Sequence, residues 1–455
     1  MSRAASLIAL SLALLGTGAT SPPALTGSWT GTYVLGGVDT ITVSVSRGRA
    51  TVALGPGHAG RQSVPARTGN GRVRFSLPGV PPVSFDGKLR GRRLIGTVTQ
   101  GGLEGTFSLG RRSVPGLLAR GLYDVDGHGF AVVGGRLLDL RTGEVGALYP
   151  NGNRFDVGAG FATRAPVRGT ARFDAAGAML PAGRAVRVAV RQLEVRFRSG
   201  RNLLAGTLTL PPGAGPHPGL VWVHGGGRQT RSYFADLPAL FAGAGFAVLT
   251  YDKRGAGQSA GTFPGDRADA FSIDALARDA SAALRFLAAQ PGVDRARVGV
   301  AGHSQGGWIA PLVASREPAA RFVVCFAGPA LSQGETDHWA QIAGGGASRP
   351  TQTEDEMEAD VLRQGSSGYE PLPALRALRV PSLWLFGRLD YVVPSRLSVR
   401  RLQSIGGNFT IELFPKANHP LIETQTGLDS EVAASDRFAP GLFPAVRNWL
   451  AAVGR

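Results

Sequence analysis

Two rhythms of apolar and polar positions divide the chain. Between residues 22 and about 112 they alternate in short runs, as in Thr40-Ile41-Thr42-Val43-Ser44-Val45, Arg72-Val73-Arg74-Phe75 and Leu94-Ile95-Gly96-Thr97-Val98. A period of two marks a half-buried strand, and Gly69-Asn70-Gly71 has the composition of a hairpin turn. Recurrent stretches (Trp29-Thr30-Gly31-Thr32, Leu94-Ile95-Gly96-Thr97, Leu103-Glu104-Gly105-Thr106) predict hairpin-built sheets. Residues 113 to about 190 continue mostly as β, with room for a helix over 115–120.

From about residue 192 the rhythm changes. Apolar strand-like runs at 220–223, 247–251, 298–301, 322–326, 382–386 and 409–414 are separated by amphipathic segments. In 275–289, Leu276, Ala280, Ala283, Leu284 and Leu287 form one stripe at helical spacing. Alternating strands and helices predict an α/β domain, a mostly parallel sheet covered by helices on both faces. Such sheets bind ligands at the carboxyl ends of their strands. The expected domains are therefore β-rich units over 21–112 and 113–190 and an α/β unit over 191–455.

The chain has 455 residues, 43% of them hydrophobic, enough for two or three buried cores. Arg3, a short apolar run over 4–15 and small residues at Gly18, Ala19 and Thr20 predict a signal peptide over 1–20, hence export. The other reading is an uncleaved anchor, but the run is too short to span a bilayer, and no later stretch is a transmembrane candidate. Cys325 is the single cysteine and lies in an apolar run, which excludes an intrachain disulfide and makes it a buried thiol. The net charge of +17 comes almost wholly from arginine, since Lys88, Lys253 and Lys416 are the only lysines. A basic chain can bind nucleic acid or an anionic envelope surface. The arginines are scattered, however, and no nucleic-acid motif accompanies them, so no nucleic-acid partner is expected. The histidines lack metal-ligand spacing and no nucleotide fingerprint is present, so neither metal nor cofactor is expected.

The pattern G-x-S-x-G marks a nucleophile elbow, but in so glycine-rich a chain it arises easily by chance. It occurs twice, at Gly257-Gln258-Ser259-Ala260-Gly261 and Gly302-His303-Ser304-Gln305-Gly306. An elbow needs a strand running straight into the serine and a helix leaving it. Ser304 follows the apolar run ending at Ala301 and precedes a helix-like segment, whereas Ser259 runs into the turn Thr262-Phe263-Pro264-Gly265. Ser304 is the candidate nucleophile and Ser259 a loop residue.

A serine needs a base, and the base needs a third group to fix its tautomer. The chain order on such a sheet is Ser, then Asp or Glu, then His. Only His338 and His419 follow Ser304, and His338 comes too early to stand after the acid. His419 lies in the loop past the last strand. Asp390 comes just after the strongly apolar run Leu383-Trp384-Leu385-Phe386, at the edge where Ser304 sits. A tetrahedral oxyanion also needs backbone donors. His224-Gly225-Gly226-Gly227 follows a strand and has the form of the glycine loop that donates one N–H in lipases and esterases, which points to Gly226; Gln305, after the nucleophile, supplies the other.

These pieces, with Tyr251-Asp252-Lys253-Arg254-Gly255-Ala256-Gly257-Gln258-Ser259 and Asn418-His419-Pro420, make residues 192–455 resemble the α/β-hydrolase superfamily. More narrowly, the chain resembles exported bacterial esterases and members of the serine aminopeptidase and dipeptidyl-peptidase branches. The resemblance implies that the loop from Asp252 to Ser259 is structural and that a lid occupies about 329–372, short for that group. Within the lid, Glu354-Asp355-Glu356-Met357-Glu358-Ala359-Asp360 would hold a substrate amine in a peptidase; otherwise it is a solvated helix face. Three functions remain open: ester hydrolysis through an acyl-enzyme, peptide cleavage from the amino end by the same residues, and a non-catalytic binding protein on a hydrolase scaffold.

Overall fold

The computed structural model describes residues 25–453 apart from 35–37, 55–61, 79–81, 101–102, 111–119, 152–153, 175, 232–235 and 266–268. The expected signal segment 1–20 lies outside the described residues, as do all but the last residue of the stretch 115–120.

The alternation in the N-terminal part closes on itself. Eight strands, from Gly27–Val34 to Leu103–Gly110, pair antiparallel in chain order, and the last pairs back onto the first. In Arg72–Leu77 exposed and buried residues alternate strictly, so Val73, Phe75 and Leu77 point inward. An eight-stranded barrel has an interior that side chains just fill. Trp29, Phe75, Phe85 and Phe107 do so here, with Phe75 stacked on Phe85 at 4.9 Å between ring centres. The recurrent glycines allow the wall to close: a Cβ at Gly96 would stand 1.9 Å from the carbonyl oxygen of Asp86.

A second antiparallel barrel runs from Gly121–Val125 to Gly183–Arg187 and is closed by pairing between those two strands. Tyr123, Phe130 and Leu148 fill it. Its outer surface is also apolar. Leu122, Val133, Leu138, Leu140 and Phe161 share one core with Trp222, Phe241, Phe438 and Phe443 of the C-terminal domain. Backbone bonds cross the same seam, from Val145 N to Asp436 O (2.6 Å), Phe161 N to Ser435 O (2.9 Å) and Phe438 N to Gly143 O (2.9 Å).

The C-terminal domain is built on an eight-stranded sheet. Its spatial order is Arg191–Ser199, Asn202–Leu210, Ala247–Tyr251, His217–Val223, Val293–His303, Val323–Phe326, Ser382–Gly387, Phe409–Phe414. The sheet is mostly parallel, as expected, with an antiparallel edge that makes it mixed. The last six strands in this order run parallel, while the first two pair antiparallel with each other and with Ala247–Tyr251. Only Gly200 and Arg201 separate those two strands, and so short a loop can join only antiparallel neighbours. Helices cover both faces. Ala270–Ala288 and Gly306–Arg316 pack on the side of Val221 and Val223; Asp236–Gly243 and Leu442–Val453 pack on the side of Leu220 and Trp222. Among the described residues no helix is long and apolar enough to cross a membrane.

The shared core predicts that the second barrel and the α/β domain lose structure together. Leu140 is 5% exposed and abuts the end of the helix Asp236–Gly243, where a Cβ on Gly243 would lie 2.4 Å from its Cδ1. Leu140→Ala is expected to cost about 2–5 kcal/mol in that joint unit. Denaturant unfolding followed by tryptophan fluorescence would check it, and an unchanged midpoint would refute the shared core.

Candidate active site

The strand Val293–His303 ends at Ser304, whose φ is +54°, and the helix Gly306–Arg316 starts two residues later. A non-glycine residue in the left-handed region costs free energy and persists only where its surroundings hold it. Here Ser304 N donates to Phe326 O (2.9 Å) and Gly307 N donates to Ser304 O (2.7 Å). The flanking glycines are steric requirements. A Cβ at Gly302 would lie 2.3 Å from Gly306 O, and one at Gly306 would lie 2.5 Å from Val223 O. Ser259 has a different setting: its buried hydroxyl donates to Asp252 O (2.6 Å) and accepts from Ala205 N (2.9 Å). It ties a loop to a strand.

Asp390 stands three residues beyond the strand Ser382–Gly387, with its side chain fully buried. Oδ1 accepts from the N–H groups of Val392 and Val393, both at 2.8 Å. Oδ2 meets His419 Nδ1 at 2.8 Å. That bond assigns the proton to Nδ1 and leaves Nε2 free to take one. Among the described residues Ser304 Oγ makes no hydrogen bond to His419. The two are linked through His303, the residue before the serine. Its ring centre lies 5.0 Å from that of His419, and its Nε2 approaches His419 O at 3.3 Å. Burial pushes the His303 imidazole down to about 3, and the neighbouring His419 charge adds to the effect.

The loop after His217–Val223 lies against the elbow, since a Cβ on Gly225 would stand 3.3 Å from Ser304 Cβ. His224 Nε2 bonds Tyr251 O at 2.8 Å, and burial followed by the Lys253 charge pushes this imidazole down to about 3 as well. Lys253 is 2% exposed. Its Nζ donates to Gly225 O, to Gly227 O (3.0 Å) and to Gln305 Oε1 (3.0 Å). Its neighbours have other tasks. Asp252 accepts from Arg231 N (2.8 Å) and Gln258 N (2.9 Å), while Arg254 forms a two-pronged pair with Asp279 at 2.6 and 2.7 Å. Sequence reading placed Lys253 and His303 only as members of motifs. The available signal was Lys253's rarity, a lysine two residues past an apolar strand in a chain that otherwise uses arginine.

The acids of the lid helix Glu354–Gln364 are partly a solvated face, with Asp355 82% exposed, and partly drawn into ion pairs. Glu354 pairs with Arg388 and Arg396, Asp355 with Arg396 (3.0 Å), and Glu358 with Arg400 (2.6 Å). Glu356 caps the helix through Thr353 N (2.8 Å), and Asp360 pairs with Arg363 (2.6 Å) and lies 3.7 Å from His338. His338 therefore belongs to the lid, whose neighbouring Trp339 donates to Asp390 O (3.1 Å).

Both buried histidines are held neutral, which links stability to pH. Each has a folded value near 3 against an ordinary value of 6.5. Their stabilisation is fully present above pH 6.5 and is lost as pH falls from there toward 3, because the unfolded chain binds the protons. Unfolding near pH 5 is expected to take up about two protons from these groups. His303→Gln should flatten the slope of stability between pH 6.5 and 5 by the share that one buried imidazole contributes; an unchanged slope would contradict the assignment.

Fold comparison finds likenesses at low identity, among them acetyl xylan esterase 1 from Thermoanaerobacterium sp. JW/SL YS485. It is 21% identical, covers 52% of this chain and 80% of its own, and has a TM-score of 0.39. Among curated proteins, esterase EstD of Thermotoga maritima is 29% identical over 252 residues, 49% of this chain. The chain spans 58% of that relative's length. An uncharacterised protein of Mycobacterium tuberculosis, Rv2307c, is 28% identical over 225 residues, 50% of this chain and 68% of its own. The family model described as serine aminopeptidase, S33, matches residues 215–353, the segment that carries the glycine loop, the elbow and the start of the lid. The family match and the strand–elbow–helix geometry make the C-terminal domain similar to serine hydrolases of the α/β-hydrolase superfamily.

Proposed function

We propose that the protein hydrolyses carboxylic esters through an acyl-enzyme on Ser304. The observation that carries this reading is the buried Asp390–His419 bond of 2.8 Å at the strand ends from which the Ser304 elbow rises. In the first half-reaction Ser304 Oγ attacks the acyl carbon while its proton passes to His419 Nε2. Asp390 holds the ring and balances the charge it acquires. The N–H groups of Gly226 and Gln305 receive the oxyanion. Collapse expels the alcohol, which takes the proton from His419, and water then repeats the sequence to release the acid. His419 sits on a loop, and catalytic hydrogen bonds commonly tighten only when substrate is bound.

Ester substrates are favoured over peptides with a free amino end. An aminopeptidase needs unspent carboxylates to hold the substrate ammonium, and Glu354 and Glu358 are paired with arginines of the scaffold. One curated relative, EstD, is named an esterase, although the matching family is described by its aminopeptidases. We also propose export, on the strength of the apolar N-terminal run; mass analysis of protein from the cell envelope should find residues 1–20 removed.

The test is a panel of short-chain acyl esters beside aminoacyl and dipeptidyl amides. Esters are expected to turn over, and amides bearing a free amine are not. Ser304→Ala should lower kcat by about 10⁴–10⁶-fold and Asp390→Asn by about 10⁴-fold, the latter by presenting the wrong His419 tautomer. Amide turnover that depends on a free amine would move the protein to the peptidases. Turnover of neither class, with no uptake of a phosphonate probe, would leave only a binding scaffold.

A further inference from the structure

Three consecutive residues after the strand Ala247–Tyr251 carry buried or half-buried charges, and only Lys253 spends its charge on the site itself. An ammonium has three N–H donors and no acceptor. Lys253 places them on Gly225 O, Gly227 O and Gln305 Oε1, which belong to the glycine loop and to the residue after Ser304. From this we infer that Lys253 is a positioning residue of the oxyanion site, aiming the N–H groups of Gly226 and Gln305 at one point beside Ser304. The inference rests on the hydrolase reading above.

The argument is one of peptide geometry. In a trans peptide the C=O of one residue and the N–H of the next point in opposite directions. The peptides of this loop are trans, because the cis bonds of the described residues are at Ala165-Pro166 and Gly215-Pro216. Drawing Gly225 O toward Nζ therefore turns the N–H of Gly226 away from it. A second clamp prevents the loop from rolling: Gln229 Nε2 donates to Gly226 O at 2.5 Å. On the other side, Gln305 heads the helix Gly306–Arg316 with helical dihedrals and no side-chain cap, and its amide is pinned to Lys253. Among the described residues neither Gly226 N–H nor Gln305 N–H donates to a protein acceptor. Both remain available for a developing oxyanion.

Chemistry also explains why a lysine stands here in an arginine-rich chain. A guanidinium is a flat fork suited to planar, two-pronged acceptors, whereas an ammonium is compact and directs its three donors tetrahedrally. Two converging carbonyls and an amide oxygen fit the second. The nearly buried charge also polarises the peptides it binds, which strengthens their N–H groups as donors toward an anion.

The decisive comparison is wild type against Lys253→Met and Lys253→Arg on the best ester of the panel, with a trifluoromethyl ketone as tetrahedral adduct former. Lys253→Met should lower kcat about 10²-fold while KM stays within about threefold, and should weaken the ketone by a similar factor. Lys253→Arg, which keeps the charge and loses the tetrahedral fit, should fall between the two. A merely structural lysine would lower the unfolding temperature and leave the kcat of the folded enzyme alone, and that result would overturn the inference. So would a rise in KM with kcat unchanged. If Lys253→Met does not fold, Lys253→Arg decides: a kcat loss with steady KM supports the assignment, and wild-type kcat overturns it. An active wild type with unaffected variants sinks this inference alone. An inactive wild type that takes up no ketone sinks the hydrolase reading and this inference with it.

Discussion

Ser304 is held at φ +54°, where an L residue is strained by about 1–3 kcal/mol, and the surrounding structure is arranged to hold it there. The turn is tight because backbone presses on it from two directions. Gly302 and Gly306 have no room for a Cβ against each other and against Val223, and Gly307 would meet the backbone of Gly328 at 2.2 Å if it carried one. Two hydrogen bonds fix the serine's own peptide groups, and the parallel strand Val323–Phe326 supplies one of the acceptors. The strain at Ser304 is offset by the buried packing of the helix Gly306–Arg316 and of the strand ends around it. The result is a hydroxyl raised above the strand ends, where the glycine loop and the histidine loop can reach it.

The polar layer at those strand ends is dense, and its charges are satisfied locally. Asp252, Lys253 and Arg254 are adjacent in sequence and serve three different elements. Asp252 gathers the Arg231 and Gln258 amides, Lys253 gathers the glycine loop and Gln305, and Arg254 fastens the helix Ala270–Ala288 through the fully buried Asp279. Breaking such a pair by removing one partner leaves an uncompensated charge out of water, which is far more costly than never having placed it. The loop carrying the decoy Ser259 is therefore the scaffold of the site, and its serine, with both hydroxyl roles used, has no proton to offer chemistry.

The second barrel belongs to the same mechanical unit. Its outer strands bond to residues 433–438, and within that segment Phe438 bridges to Ile422 in the loop that carries His419. The apolar seam around Phe161, Phe438 and Phe443 makes the connection stiff, with Phe161 set edge-on to Phe438 at 5.3 Å. The placement of His419 is thus tied to the second barrel. The first barrel differs in this respect, since its aromatic core is its own.

Much of this was legible in the order of residues. Strands with apolar runs, the amphipathic helix Ala270–Ala288 and the elbow at Ser304 all follow from local patterns, because periodicity and the steric demand for glycine act over a few residues. Asp390 and His419 could be chosen by their positions just past strands, and the structure brings those two together; for Ser304 it gives proximity through His303. Closure of the alternating strands into barrels was not legible, because a period of two specifies which face is buried and says nothing about whether the last strand meets the first. The antiparallel edge hairpin could have been read from the two residues between its strands. The fate of the lid acids could not: only the fold decides that Arg388, Arg396 and Arg400 face Glu354, Asp355 and Glu358. Lys253 is the clearest case. The sequence determined that a lysine follows an apolar strand, while its three acceptors come from segments roughly 25 and 50 residues away, and only the packed sheet sets them around one ammonium.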